Sequence, residues 1–267
     1  MIELGLHCMN GLRLGDEPSR LERIAKLVTD PRWHAKFKLI NVAHLPNTPP
    51  EPVFTGTVAA ADLPEAARKA LFSGAVDDVQ FGVSRTASTD TARLFVKTGR
   101  YPNERSWGSS RLRLSDHDGD RIAAPWVELQ HDLVDAIGAR HGVIIAAPTH
   151  DLMRIETWLS NISLEGRPLH PRPEEISSYA VNKAKLGDAY LRAPRWGTYL
   201  APEHLEKIGG RAKVIASVEP AVVRDVGPLV YFQLTEHVSD ALSPSTEVKR
   251  ARFEQLVAAL LPPREQS

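Results

Sequence analysis

The sequence predicts an α+β fold with a largely antiparallel sheet and helices packed on it. Short alternating segments typical of strands are mixed with amphipathic helices, and the two do not alternate strictly as they do in a parallel sheet. The 267 residues, 42% of them apolar, are enough to form a large core without disulfides or metals. Both ends of the chain mix strands with amphipathic helices, which leaves open a fold of two similar α/β halves.

The first strand is predicted at residues 2–8, where apolar and polar residues alternate as in a strand with one buried face. Asp16 is expected to cap the helix that follows, and Asp30-Pro31 to end it. Residues 79–83 and 92–97 both alternate, which predicts a hairpin between them. The other strands predicted in this part of the chain are residues 36–42, 53–58 and 111–115.

The middle of the chain contains the strongest helix signal. Pro125 is expected to open this helix, and the apolar run 143–147 predicts a central strand. The periodic pattern then fades over residues 161–182, so this connection is the candidate subdomain boundary within a single domain of residues 1–267. The inward face of the helix is predicted to carry Trp126, Leu129, Leu133, Val134 and Ile137.

The last part of the chain predicts two helices and two strands. Pro202 is expected to start a short helix that Gly209-Gly210 stops. Strands are predicted at residues 212–218 and 229–235, and a final amphipathic helix from about Ser245 onward.

Composition excludes several functional classes. Thirty-three basic residues balance thirty-three acidic ones, which argues against a general nucleic-acid or membrane binder. No apolar run approaches the roughly 20 residues that span a bilayer, and the start of the chain has no signal-peptide pattern. A cytoplasmic protein is therefore expected. Cys8, the one cysteine, is interpreted as a small buried hydrophobe on a strand.

Sequence motifs for catalysis, metals and cofactors are missing. The chain has no His-Glu-x-x-His, Cys-x-x-Cys, Gly-x-Ser-x-Gly, phosphate-binding or dinucleotide-binding pattern. His131 and Asp135 lie one helical turn apart and are interpreted as an exposed polar pair. We therefore expect no catalytic residue, metal or cofactor. A hydrolase-type enzyme whose polar residues converge from dispersed segments is the alternative.

An acidic cluster surrounds the predicted turn at Asp118-Gly119. Alternate aspartates can bind a hard cation, but Arg121 and Val127 stand where a calcium loop needs glycine and glutamate. A solvated hairpin turn is the simplest interpretation, and a metal site or an acidic docking loop are the alternatives.

The most distinctive segment is residues 195–210. Arg192, Arg195, Trp196 and Tyr199 combine basic and aromatic side chains, a set that can stack bases or anchor a protein interface. The same set can be a core tryptophan whose arginines extend outward to solvent. A nucleic-acid or regulatory binding module therefore stays open as a further hypothesis.

This segment also resembles a known class of proteins. Arg195-Trp196-Gly197-Thr198-Tyr199-Leu200, the helix at Pro202, Ile208-Gly209-Gly210 and the strand at 230–235 resemble bacterial immunity proteins, in particular the immunity-protein-52-like group. Such proteins accompany polymorphic toxins and effectors of the type VI secretion system (T6SS). The resemblance implies a cytoplasmic, non-enzymatic protein that neutralises a cognate effector toxin by occluding it.

The resemblance also implies a partner. Some relatives are encoded beside nuclease toxins, so a nuclease is the leading partner, without direct nucleic-acid or membrane binding. Acidic side chains should face such a toxin, because its substrate groove must attract phosphate. The candidate toxin-binding residues are Asp116, Asp118 and Asp120 on the turn, with Glu174 and Glu175 on the exposed connection. The residues expected to shape the fold rather than contact the toxin are Arg195, Trp196, Gly197, Tyr199, Gly209 and Gly210.

Overall fold

The computed structural model describes residues 2–12, 14–33, 38–44, 62–72, 76–82, 92–97, 106–114, 119–148 and 191–261. The chain divides into two compact units, Met1–Ala139 and Arg140–Ser267. Each unit combines antiparallel strand pairs with α-helices, which confirms the predicted α+β class. That the chain is a single domain and that its two halves are similar both stay predictions. The predicted subdomain boundary, residues 161–182, lies outside the described ranges.

The first unit is a sheet with helices on it. Its sheet has the strand order β2-β3-β4-β5-β1, and all four neighbouring pairs of these described strands are antiparallel. The predicted hairpin is confirmed as β3 and β4. The strands are β1 (Ile2–Gly11), β2 (Lys38–His44), β3 (Val76–Gly82), β4 (Ala92–Lys97) and β5 (Ser106–Leu114), and the helices are α1 (Pro18–Leu27), α2 (Leu63–Phe72) and α3 (Gly119–Ile137).

Strand β1 is buried on both faces, so the prediction of one solvent-facing side is wrong. Glu3 is 1% exposed, and its carboxylate accepts a hydrogen bond from Nε of Arg113 at 2.8 Å. The two residues are directly opposite in the β1–β5 register, so the ion pair satisfies Oε1 of Glu3 inside the sheet, while Oε2 has no hydrogen-bond partner among the described residues. Cys8 is buried as predicted, with Sγ 3.5 Å from the Gly108 carbonyl oxygen.

The predicted helix starts in this unit are shifted. Asp16 lies in a short 3-10 helix, and α1 begins at Pro18 without a side-chain cap. Helix α3 begins at Gly119, so Gly119 is helical and Pro125 lies inside the helix. Asp118, the other residue of the predicted hairpin turn, lies outside the described ranges. Proline favours the first turn, but the apolar face of a long helix can offset the one hydrogen bond that it removes. That predicted face is buried at Trp126, Leu129, Leu133, Val134 and Ile137.

The prediction that His131 and Asp135 form an exposed polar pair on α3 is also wrong. Helix α1 packs against α3, and its Arg23 binds the Asp135 carboxylate at 2.7 Å. His131 is buried. Sequence spacing placed the two residues on one face, but it could not show which neighbouring helix covers that face.

The second unit has a four-stranded antiparallel arrangement among its described residues. Its strand order is β6-β7-β9-β8. The predicted apolar run is confirmed as the buried strand β6. The strands are β6 (His141–Pro148), β7 (Gly197–Leu200), β8 (Val222–Val226) and β9 (Leu229–Gln233), and the helices are α4 (Pro202–Lys207), α5 (Arg211–Val218) and α6 (Pro244–Leu256).

Residues 212–218 are a helix, so the predicted strand there is wrong. Val214 and Val218 are buried one turn apart, and α5 packs on α6. The pattern of small and apolar residues in this short segment fits either period, so packing decides between helix and strand. Strand β8, which the sequence did not predict, follows after α5.

Candidate functional site

Residues 195–210 and the strand at 230–235, here called the signature, form the centre of the second unit. Strand β7 pairs with β6 on one side and with β9 on the other, and all residues from 191 to 201 are buried. Trp196 and Tyr199 are therefore core residues of this unit.

Gly197 allows β7 and β9 to approach closely at one aromatic ring. A Cβ atom on Gly197 would lie 2.6 Å from the Tyr231 hydroxyl oxygen and 2.8 Å from its Cε2. The Tyr231 ring packs on Tyr199 with ring centroids 4.6 Å apart. Its hydroxyl donates a hydrogen bond to Oε1 of Gln233 at 2.8 Å. The ring is therefore held from two sides, and a larger residue at 197 would collide with it.

Hydrogen bonds extend from these aromatic residues into the β9–α6 loop, residues 234–243. Trp196 Nε1 donates to Oγ1 of Thr235 at 2.8 Å, and that hydroxyl donates to the His237 carbonyl at 2.9 Å. Gln233 Nε2 donates to the carbonyls of Thr235 at 2.7 Å and Glu236 at 3.3 Å. Core residues of the signature thus hold the backbone of an adjacent surface loop.

His141 links two segments of the second unit through its ring. Nδ1–H donates to the Tyr199 carbonyl at 2.8 Å, and Nε2 accepts from the Arg192 backbone N–H at 3.0 Å. Complete burial lowers the pKa of His141 to about 3, so the ring is neutral at physiological pH. Because both nitrogens are bonded to backbone groups, His141 acts as a structural bridge and is not available for acid–base chemistry.

Two arginines of the segment are buried, so they do not extend to solvent. Arg192 is 3% exposed and Arg195 is 9% exposed. Nη2 of Arg195 has no hydrogen-bond partner among the described residues. Burial, with the nearby charge of Arg250, lowers the pKa of Arg195 to about 10, while Glu254 opposes this shift. The sequence reading missed Arg250, which lies beside Arg195 and binds Glu254 at 2.8 Å on α6.

The double glycine ends α4 as predicted. Gly209 and Gly210 have φ values of 94° and 89°, which favour glycine. The Gly210 N–H donates to the Leu205 carbonyl at 2.7 Å, and α5 starts at the next residue. At the other end of α4, His204 Nδ1 accepts from the Ala201 N–H at 3.3 Å. This short helix is therefore defined by local backbone chemistry at both ends.

Of the five acidic residues predicted to bind a toxin, the structure describes Asp120. Asp116, Asp118, Glu174 and Glu175 lie outside the described ranges. Asp120 is exposed in the first turn of α3, in the first unit. The toxin contacts of all five residues stay predictions.

The described ranges contain no candidate metal centre and no candidate membrane-spanning helix. No group of three or more His, Cys, Asp or Glu side chains there could hold a metal ion. None of the helices in the described ranges has both the length and the apolar character needed to cross a membrane.

The fold is similar to that of a T6SS protein. The chain matches Pseudomonas aeruginosa T6SS protein PA0821 with a TM-score of 0.56 and 11% identity, covering 97% of this chain and 73% of that one. One chain of the complex between the toxic C-terminal tip of CdiA from Pseudomonas aeruginosa and its immune protein matches with a TM-score of 0.29 and 14% identity, over 56% of this chain and 89% of that one. The first match shows a shared fold, and the second is too weak to carry an argument. No family model and no curated protein matches the chain.

Gly197→Ala is expected to destabilise the protein by about 1–3 kcal/mol, because its Cβ overlaps the held Tyr231 ring. Urea unfolding measures the loss. Gly227→Asn is the matched control, because Gly227 has φ 54° at an exposed turn and asparagine tolerates this conformation. Equal stability of Gly197→Ala and the unmodified protein would contradict the close approach.

Acid is expected to destabilise the protein through His141. The folded pKa is about 3 and the unfolded value about 6.5, so this contribution is complete above the unfolded value and is lost as pH falls. Between about pH 7.5 and about pH 5 the loss should be about 2 kcal/mol. Urea unfolding at both pH values, compared with the non-titrating His141→Asn, checks this. The same pH dependence in both proteins would exclude His141 as the cause.

Proposed function

We propose that this chain is an immunity protein that binds and neutralises a secreted bacterial effector toxin. The main support is the signature, which resembles immunity proteins. Its aromatic residues are buried, and Trp196 and Gln233 form hydrogen bonds to the adjacent β9–α6 loop. Such a framework holds surface groups in a fixed arrangement. A fixed surface lowers the entropy cost of binding and is suited to tight recognition of another protein.

The polar groups in the signature and on the neighbouring strand β6 support binding in preference to catalysis. His141 and His204 use ring nitrogens to hold backbone groups, and Thr198 Oγ1 accepts the Arg195 N–H at 3.2 Å. A catalytic set would instead direct such groups toward a shared point where substrate binds. We therefore propose that the chain itself catalyses no reaction.

The fold adds an independent line of support. The chain resembles immunity proteins in one segment, and its fold is similar to that of a T6SS protein over 97% of its length. The segment and the whole fold thus both support a role in toxin secretion and immunity between bacteria. In this setting the protein acts in the cytoplasm by covering the active surface of the toxin.

A nuclease is the partner that we propose. Its substrate groove must be positively charged to bind phosphates, so a protein that blocks the groove benefits from acidic residues. A tight complex of this type usually buries about 1,200–2,000 Å² of surface in total.

The expected result is binding of the toxin encoded beside this chain's gene, with a dissociation constant in about the nanomolar range. Calorimetry with an inactivated toxin measures affinity, and survival of cells that express active toxin measures neutralisation. The matched negative control is a toxin of the same class from an unrelated pair. No binding at micromolar concentration together with no protection would reject the proposal. Turnover of a compound by the purified chain would favour the hydrolase alternative.

A further inference from the structure

One stretch of the second unit is acidic, apolar and exposed at the same time. Residues 225–248 contain no lysine or arginine, but they contain Asp225, Glu236, Asp240 and Glu247. Within this stretch the β9–α6 loop and the first turns of α6 expose two large apolar residues. Leu242 is 48% exposed and Val248 is 52% exposed. Exposed apolar side chains beside carboxylates are typical of the rim and centre of a protein interface.

Two of these carboxylates are free to interact with a partner. Glu236 and Asp240 are exposed, and neither forms an ion pair with another residue in the described ranges. By contrast, Arg250 binds Glu247 and Arg211 binds Asp225. Lys249 reaches this loop, but its Nζ donates to the carbonyls of Leu234 at 3.3 Å and Glu219 at 2.6 Å. Within the described ranges, Glu236 and Asp240 therefore contribute negative charge that no ion pair holds.

The loop that carries these residues has a fixed backbone. Val238 and Thr246 are buried and anchor it, and Thr246 Oγ1 donates to the Asp240 carbonyl at 2.7 Å. Ser243 caps α6 by accepting the Thr246 N–H at 3.3 Å. On the other side, the Trp196–Thr235–His237 hydrogen bonds hold the start of the loop. The exposed side chains are thus presented on a preformed surface.

We propose that Glu236, Asp240, Leu242 and Val248 form the toxin-binding surface, here called the loop surface, and that it binds a basic groove with apolar contacts. This inference rests on the proposed function and identifies where it takes place. The charge of the loop surface favours one kind of partner. Its carboxylates would repel nucleic acid, and a second copy of the chain would bring a second acidic surface against the first. A basic protein surface gains from both the charge and the apolar contacts.

The test measures association with the inactivated toxin encoded beside this chain's gene by surface plasmon resonance. The double variant Glu236→Lys/Asp240→Lys should lower the association rate at least about tenfold at about 10 mM ionic strength. The difference should nearly disappear at about 1 M salt, where screening shortens the Debye length to about 3 Å. Leu242→Ala and Val248→Ala should instead accelerate dissociation by about tenfold each, because they remove contacts made only in the complex.

The control is Glu206→Lys at an exposed site on α4, compared with the single variants Glu236→Lys and Asp240→Lys, which make the same charge reversal on the loop surface. It should leave the association rate within about twofold of the unmodified protein. Circular dichroism and thermal unfolding establish that every variant is folded. If the loop variants bind like the control while the unmodified chain binds and protects, the loop surface is rejected and the proposed function stands.

Other outcomes reject the loop surface in a different way. If the unmodified chain neither binds nor protects, both the loop surface and the proposed function are rejected. A mobility shift with duplex DNA that the loop variants alter would identify nucleic acid as the occupant. Light scattering that shows a dimer disrupted by Leu242→Ala would identify a second copy of the chain.

Discussion

The close approach of Gly197 to the Tyr231 ring is the contact on which the second unit depends. Without a side chain at 197, β7 and β9 can place Tyr231 against Tyr199 and direct its hydroxyl to Gln233. Gln233 then holds two carbonyls of the β9–α6 loop. The absence of one Cβ atom therefore affects, through an aromatic ring and an amide, the backbone of the exposed β9–α6 loop.

Buried polar groups connect segments that are distant in the chain. Glu3 pairs with Arg113 across two strands, and His141 joins Tyr199 to Arg192. A buried polar group is costly unless its hydrogen bonds are made, so each such connection disfavours alternative registers and packings. Arg195 shows the cost directly, because burial disfavours its charged form and one of its nitrogens lacks a hydrogen-bond partner in the described ranges.

In the proposed function, the signature and the loop surface have different roles. Trp196 and Tyr199 are buried, so they shape the framework and do not contact a partner directly. The exposed carboxylates that the framework presents are separated by several residues in the sequence and do not form an obvious acidic motif. Asp116, Asp118 and Asp120 form such a motif, but a motif of alternating charges in sequence does not show whether a rigid surface carries it.

Local chemistry was readable from the sequence alone. The start of α4 at Pro202, its end at Gly209-Gly210, the buried face of α3 and the β3–β4 hairpin depend on backbone preferences and short periodicity, and all four are confirmed. Tertiary packing decided the features for which the local sequence pattern fits two structures equally well. These are the helix at residues 212–218, the burial of both faces of β1, and the position of Arg192 and Arg195 inside the protein. These features depend on which distant element covers a given face, and the periodicity of a segment contains no information about its neighbours.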